Sequence, residues 1–251
     1  MWLTGASSGI GEALADELAR SGARLAITAR RREKLEAIAA RHAGRDVVVC
    51  PGDITDREAM LRIGEELRER FGAIDIAIAN AGTYEQVTPD TFHADLFRRH
   101  LEVNLIGTVH CIEAVLPDMR RRRAGRIAVV ASVTGYAALP KAEAYGATKA
   151  ALISMCDSLR ADLAPDGVRV TVIAPGFVRT PLTAQNEFGM PFLIDPDRAA
   201  RIIARGLARG RDEIAFPLRM ALLFKLLGML PGPLARRYVA GVARRRRAEG
   251  T

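Results

Sequence analysis

Six short apolar runs rich in β-branched residues, at 24–28, 46–50, 74–80, 126–132, 168–174 and 213–216, alternate with amphipathic stretches such as 11–21 and 56–71. Strands joined by helix-length crossovers pair in parallel, and near-continuous apolar runs suit strands that are covered on both faces. The alternation therefore predicts an α/β fold, a doubly wound parallel sheet with helices on both sides. The first strand is the weak point. Only Met1, Trp2 and Leu3 precede a glycine-rich turn, so either this strand is short or the natural protein begins earlier.

With 251 residues, 49% of them hydrophobic, the chain can bury one sizeable core. No internal repeat or low-complexity block interrupts it before Pro231-Gly232-Pro233, which predicts one domain: a body at 1–217 and a helical extension of it at 218–251. The charge is uneven. From Arg219 onward there are seven Arg and one Lys against one Glu, a local +7 that leaves +1 of the total +8 for the body. A nearly neutral body without a basic stripe interleaved with aromatics speaks against nucleic acid as a partner. Cys50, Cys111 and Cys156 are odd in number and far apart, as expected of buried, reduced thiols in a cytoplasmic protein. His42, His93, His100 and His110 have no metal-ligand spacing, so no metal site is expected. Gly5 and Gly9 break the apolar start before a signal-peptide core could form.

Thr4-Gly5-Ala6-Ser7-Ser8-Gly9-Ile10-Gly11 follows the first apolar residues and opens a helix expected at 12–20. Glycine at such a turn permits tight bending and close backbone approach, and the helix N-terminus offers free N–H groups to a pyrophosphate. The segment is read as the phosphate turn of a Rossmann-type site, with Gly5, Ser7, Ser8, Gly9, Ile10 and Gly11 as its contacts. About twenty residues on, an acid would accept the ribose hydroxyls of NAD; here Ala29 is followed by Arg30, Arg31 and Arg32. The guanidinium of Arg30 suits a ribose phosphate, which favours NADP(H) over NAD(H). The plainer reading is that three arginines begin a solvated helix.

Tyr145 and Lys149 stand four apart in Ala-Tyr-Gly-Ala-Thr-Lys, with Ser132 thirteen residues before Tyr145. On a helix this spacing puts both side chains on one face, about 5 to 6 Å apart, where an ammonium favours the phenolate. Acid/base work near neutral pH would ask for a drop of about three units in the phenol, roughly 4 kcal/mol. Ser132 would donate to the substrate oxygen as charge develops on it. A Tyr and a Lys at this spacing are more often an exposed face or a packed ring beneath a snorkelling Lys, so the pair means little alone.

Together these motifs resemble the short-chain dehydrogenase/reductase family, over nearly the whole stretch from 2 to 217. Thr4 to Gly11 matches its T-G-x-x-x-G-x-G turn. The resemblance implies that Asp53 contacts adenine with Ile54 flanking the ring, and that Asn80-Ala81-Gly82 is the N-A-G segment, with Ala79 in place of a frequent first Asn. It implies that Asn104 joins a water relay behind Lys149, so that Asn104, Ser132, Tyr145 and Lys149 form a catalytic tetrad. Pro175-Gly176-Phe177-Val178-Arg179-Thr180 matches the stretch that grips the nicotinamide carboxamide through Val178 and Thr180, and Lys149 would also hold the nicotinamide ribose. The activity implied is hydride transfer between a nicotinamide and a carbonyl or alcohol carbon. A homodimer or homotetramer built on the helices around 104–115 and 145–162 is implied as well.

Tyr84, Val133, Leu139, Phe177, Phe188, Met190 and Phe192 are expected around the nicotinamide, which predicts an apolar pocket and a lipophilic ketone, aldehyde or alcohol. After Pro217, residues 218–230 are apolar nearly all round, and 234–247 carry Leu234, Tyr238, Val239 and Val242 at helical spacing before a basic end at 244–247. Thirteen residues cannot span a bilayer, which needs about twenty. Two roles stay open: a peripheral anchor on an anionic membrane, or a helix that closes the pocket or a subunit interface. Two further readings of the whole chain are a nucleotide-binding regulator that has lost its chemistry and a membrane-surface binding protein.

Overall fold

The computed structural model describes residues 1–186 and 188–249, with side chains omitted from 245 onward. Seven strands, β1 (Trp2–Thr4), β2 (Leu25–Thr28), β3 (Val47–Val49), β4 (Ile76–Ala79), β5 (Gly125–Val130), β6 (Val168–Pro175) and β7 (Glu213–Phe216), form one sheet in the order β3-β2-β1-β4-β5-β6-β7. Every pairing is parallel.

The first strand is short, and it is central. Leu3 pairs with Ile27 on one side and Ile78 on the other, so three residues suffice where both neighbours supply hydrogen bonds. Its side chains alternate between two cores. Trp2 joins Met60, Ile112, Met119, Leu152 and Val170 on the face covered by α3 (Arg57–Phe71), α5 (Gly107–Arg122) and α6 (Glu143–Leu163). Leu3 joins Leu14, Leu18, Leu35 and Ile203 on the face covered by α1 (Gly9–Arg20), α2 (Arg32–Arg41) and α7 (Pro196–Ala208). Every residue of β1 and β2 is buried, as a sheet covered on both faces requires.

Strand order reverses between β1 and β4. In open parallel sheets a crevice forms there, beyond the carboxyl ends of the strands. Several boundaries differ from the sequence pattern by one or two residues, because pairing stops where the chain turns toward this crevice. β5 ends at Val130, which leaves Ser132 in the turn that follows rather than in the strand. α1 begins at Gly9, three residues earlier than expected. Between α4 (Ala94–His100) and α5, residues Leu101–Ile106 form a π-helical turn that contains Asn104.

After β7 come α8 (Leu218–Met229) and α9 (Gly232–Glu249). The inner face of α8 buries Met220, Ala221 and Phe224 against Val133, Tyr136, Leu139 and Phe177. Gly228 lets the helix come close: a Cβ there would stand 2.2 Å from the Tyr136 carbonyl oxygen. Glu213 accepts hydrogen bonds from both the Tyr136 hydroxyl and the Lys225 ammonium, tying α8 to β7. The side chains of Arg245, Arg246 and Arg247, part of the basic end singled out above, lie outside the described residues.

Candidate active site

A cavity of about 1300 Å³ opens at the switch point. The turn between β1 and α1 forms its floor because glycine alone fits there. Gly5 has φ +68, and a Cβ on it would lie 2.5 Å from Ala81 Cα; a Cβ on Gly11 would lie 2.1 Å from the Gly5 carbonyl oxygen. Asn80 locks the same turn, donating from Nδ2 to the carbonyls of Thr4 at 3.0 Å and Gly5 at 3.2 Å. Thr4 Oγ1 in return accepts from the N–H groups of Asn80 and Ala81. Ser8 precedes α1 and makes no side-chain capping bond, so the first-turn N–H groups are left for a ligand. Gly9, Ile10 and Gly11 line the cavity.

Asp53, Ile54, Arg30 and Arg31 meet at the β2 side. Asp53 Oδ1 accepts from the N–H and hydroxyl of Thr55, and its Oδ2 faces Arg30 at 3.9 Å. Arg31, whose sequence position gave it no separate role, donates to the carbonyl of Ser7 at 3.1 Å and to its hydroxyl at 2.9 Å. It is the arginine that touches the phosphate turn. Only the chain's return past β1 reveals this. Ile54 is buried under Gly107, with its carbonyl hydrogen-bonded to His110 Nδ1 at 2.9 Å.

At the β5 side the four residues of the expected tetrad come from three elements: the π-helical turn carries Asn104, the turn after β5 Ser132, and α6 both Tyr145 and Lys149. Asn104 is fully buried; its Oδ1 accepts from the N–H of Thr83 at 2.7 Å and its Nδ2 donates to the carbonyl of Thr83 and to Thr148 Oγ1. Gly82 lies between Asn104 and Lys149, since a Cβ on it would meet Asn104 Oδ1 at 3.1 Å and Lys149 Nζ at 3.6 Å. Ser132 Oγ accepts from the N–H and hydroxyl of Thr134 and donates to the Pro175 carbonyl at 3.4 Å. Lys149 Nζ donates to the Val130 carbonyl at 2.8 Å and stands 5.4 Å from the centre of the Tyr145 ring. At the far wall Val178 is buried and bridges to Ile194, while the Thr180 N–H and hydroxyl are both held by Thr183. Pro175, Gly176 and Thr180 line the cavity beside them.

In the protein alone, burial pushes the Tyr145 phenol up to about 12, opposed by its hydrogen bond with Ser132 and aided by Tyr84. Burial acts on Lys149 as well, pulling its ammonium down to about 8. Native Lys149 releases its proton between about 8 and the ordinary 10.5, a range in which the unfolded chain still holds it, so stability gains as pH rises through that window. Relative to Lys149→Met, the wild type is expected to gain up to about 3 kcal/mol across it in urea denaturation. The comparison cancels Cys50, Cys111 and Cys156, whose thiols burial pushes up and which act in the opposite sense. Parallel stability curves for the two proteins would disprove the shift.

A smaller apolar pocket adjoins Ser132 and Tyr145, lined by Tyr84, Val133, Leu139, Phe177, Phe188 and Met220. Five of the expected residues are there. Met190 and Phe192 are not: Met190 Sδ accepts from Asn186, and Phe192 is 47% exposed. Both lie beyond Phe188, the last residue of that segment to line the pocket. Met220 had no signal in the sequence beyond its place in an apolar helix.

A family model described as short chain dehydrogenase matches residues 1–189. An uncharacterized oxidoreductase of Myxococcus xanthus is 38% identical over 234 residues, covering 92% of each chain. An 11-beta-hydroxysteroid dehydrogenase-like protein of Arabidopsis thaliana is 33% identical over 91% of this chain and 77% of its own. Among solved structures, a short-chain dehydrogenase from Sphingobium yanoikuyae in complex with NADPH superposes with a TM-score of 0.80 at 28% identity, covering 96% of this chain and 94% of that one.

Proposed function

Because the chain belongs to the short-chain dehydrogenase family of oxidoreductases, we propose that it interconverts a lipophilic carbonyl compound and its alcohol with NADP(H). The observation that carries this reading is the meeting of Ser132, Tyr145 and Lys149 on the cavity wall where an apolar pocket adjoins it, with Asn104 buried behind them against Thr83 and Thr148. The residues fit a dinucleotide. The turn from Gly5 to Gly11 would take the pyrophosphate on the N-terminus of α1, Asp53 and Ile54 the adenine, Asn80-Ala81-Gly82 the central span, and Pro175, Gly176, Val178 and Thr180 the carboxamide. The nicotinamide supplies the hydride.

The chain's own part is proton transfer and orientation. Ser132 Oγ already accepts two hydrogen bonds from Thr134, and its own proton, held only by the long 3.4 Å contact to the Pro175 carbonyl, can turn to a substrate oxygen. Tyr145, held protonated by burial, gives its proton to that oxygen as charge grows on it. Lys149 keeps a positive charge under the ring through its bond to Val130, and Asn104 fixes the Thr83 backbone behind it. The apolar pocket and the steroid-dehydrogenase-like relative support a lipophilic substrate. Homo-oligomerisation and a cytoplasmic location complete the reading.

Arg30 and Arg31 carry the cofactor preference. They place two guanidiniums, one on the phosphate turn, where a ribose phosphate would lie. Oxidation of NADPH against a panel of lipophilic ketones and aldehydes tests the reading, with NADH as the control. Arg31→Ala is expected to raise the KM for NADPH about tenfold and leave that for NADH nearly unchanged. Equal use of both cofactors by the wild type at low concentration would refute the preference, and inertness across the panel would refute the activity.

A further inference from the structure

The outer face of α8 is bare. Leu218 is 68% exposed, Leu222 51%, Leu226 62% and Met229 81%, and at 3.6 residues per turn the four fall in one arc of about 80°. Leu230, Leu234 and Tyr238 extend the exposed apolar surface across the break into α9. The same segment is strongly basic: no Asp or Glu occurs between Leu218 and Ala248, against Arg219, Lys225, Arg236, Arg237 and the run at 244–247. Lys225 is already engaged by Glu213, so among the described residues Arg219, Arg236, Arg237 and Arg244 supply the unpaired charge.

We propose that this face docks on an anionic lipid surface, with the α8 stripe in the interface and the arginines of α8 and α9 at the headgroups. Apolar area and positive charge on one element are the two attractions that hold an interfacial helix to anionic lipid. A polyanion such as nucleic acid would use the arginines and leave the leucines in water. A second copy would cover the leucines but set one +7 segment against another. No helix among the described residues is long and apolar enough to cross a membrane. The inner face of the same helix carries Met220 at the apolar pocket, so a substrate dissolved in the bilayer would lie about one helix diameter, roughly 10 Å, from Tyr145. That last step rests on the lipophilic-substrate reading; the docking does not.

Co-sedimentation with phosphatidylcholine vesicles, with and without phosphatidylserine, tests it on the full chain. Binding is expected only with phosphatidylserine and is expected to weaken as salt rises. Arg236→Gln with Arg237→Gln should weaken it about tenfold or more. Leu222→Ser with Leu226→Ser, both exposed and remote from the cavity, should release the protein from vesicles while its cofactor binding and thermal unfolding stay as in the wild type. A wild type that stays in the supernatant with both vesicle types would overturn the proposal. So would light scattering that shows an oligomer dissociated by the leucine changes, which would make this face a subunit contact.

Discussion

Tyr145→Phe is expected to lower NADPH-dependent carbonyl turnover by about two to four orders of magnitude, the usual contribution of a positioned general acid. The phenol is the group at the junction of cavity and apolar pocket that burial keeps protonated, and Phe fills the same space, so the wall keeps its shape. NADPH affinity, read by the quenching or enhancement of its fluorescence, should change little. The T-shaped contact with Tyr84, ring centres 5.1 Å apart, survives in Phe. A variant that keeps most of its turnover would remove Tyr145 from the chemistry; one that loses turnover and cofactor binding together would mean that the site had collapsed.

The second large effect lies at the floor. Gly5→Ala combines a left-handed backbone, φ +68, with a Cβ 2.5 Å from Ala81 Cα and 2.9 Å from Asn80 Nδ2. Conformation costs about 1–2 kcal/mol and the clash about 1–3 more, since two backbones must separate. Stability should fall by roughly 2–5 kcal/mol in urea denaturation, and NADPH binding should fall with it as the turn moves off the helix N-terminus. Gly44→Ala is the control. Gly44 shares the conformation, φ +85, but nothing lies within 4 Å of its Cβ, so only about 1–2 kcal/mol should be lost, with cofactor binding intact. Equal losses in the two variants would show that strain alone, rather than close approach, makes Gly5 necessary.

Much of this was legible in the sequence because it depends on local pattern. Buried strands read as unbroken apolar runs, and glycine spacing before a helix marks a turn that no other residue fills. Tyr145 and Lys149 share a helix, so their proximity follows from four residues of spacing. What depended on the return path of the chain could not be read. Arg31 reaches Ser7 only because β2 lies beside β1, and Met220 reaches the pocket only because α8 folds back past Val133. Burial at Tyr145 and Lys149 could not be read either: spacing locates a charge, whereas desolvation is set by everything packed around it.

Gly228 has a consequence for how substrate range is divided along the chain. The reacting groups all precede residue 189, within the stretch that the family model matches, whereas the helix that walls the apolar pocket follows it. That helix is seated by its buried Met220, Ala221 and Phe224, by Gly228 against the Tyr136 carbonyl and by the Lys225–Glu213 contact, and it adds Met220 alone to the pocket wall. One side chain of that wall is therefore set apart from the rest. A different sequence after Pro217 could admit a different molecule to the same proton donor.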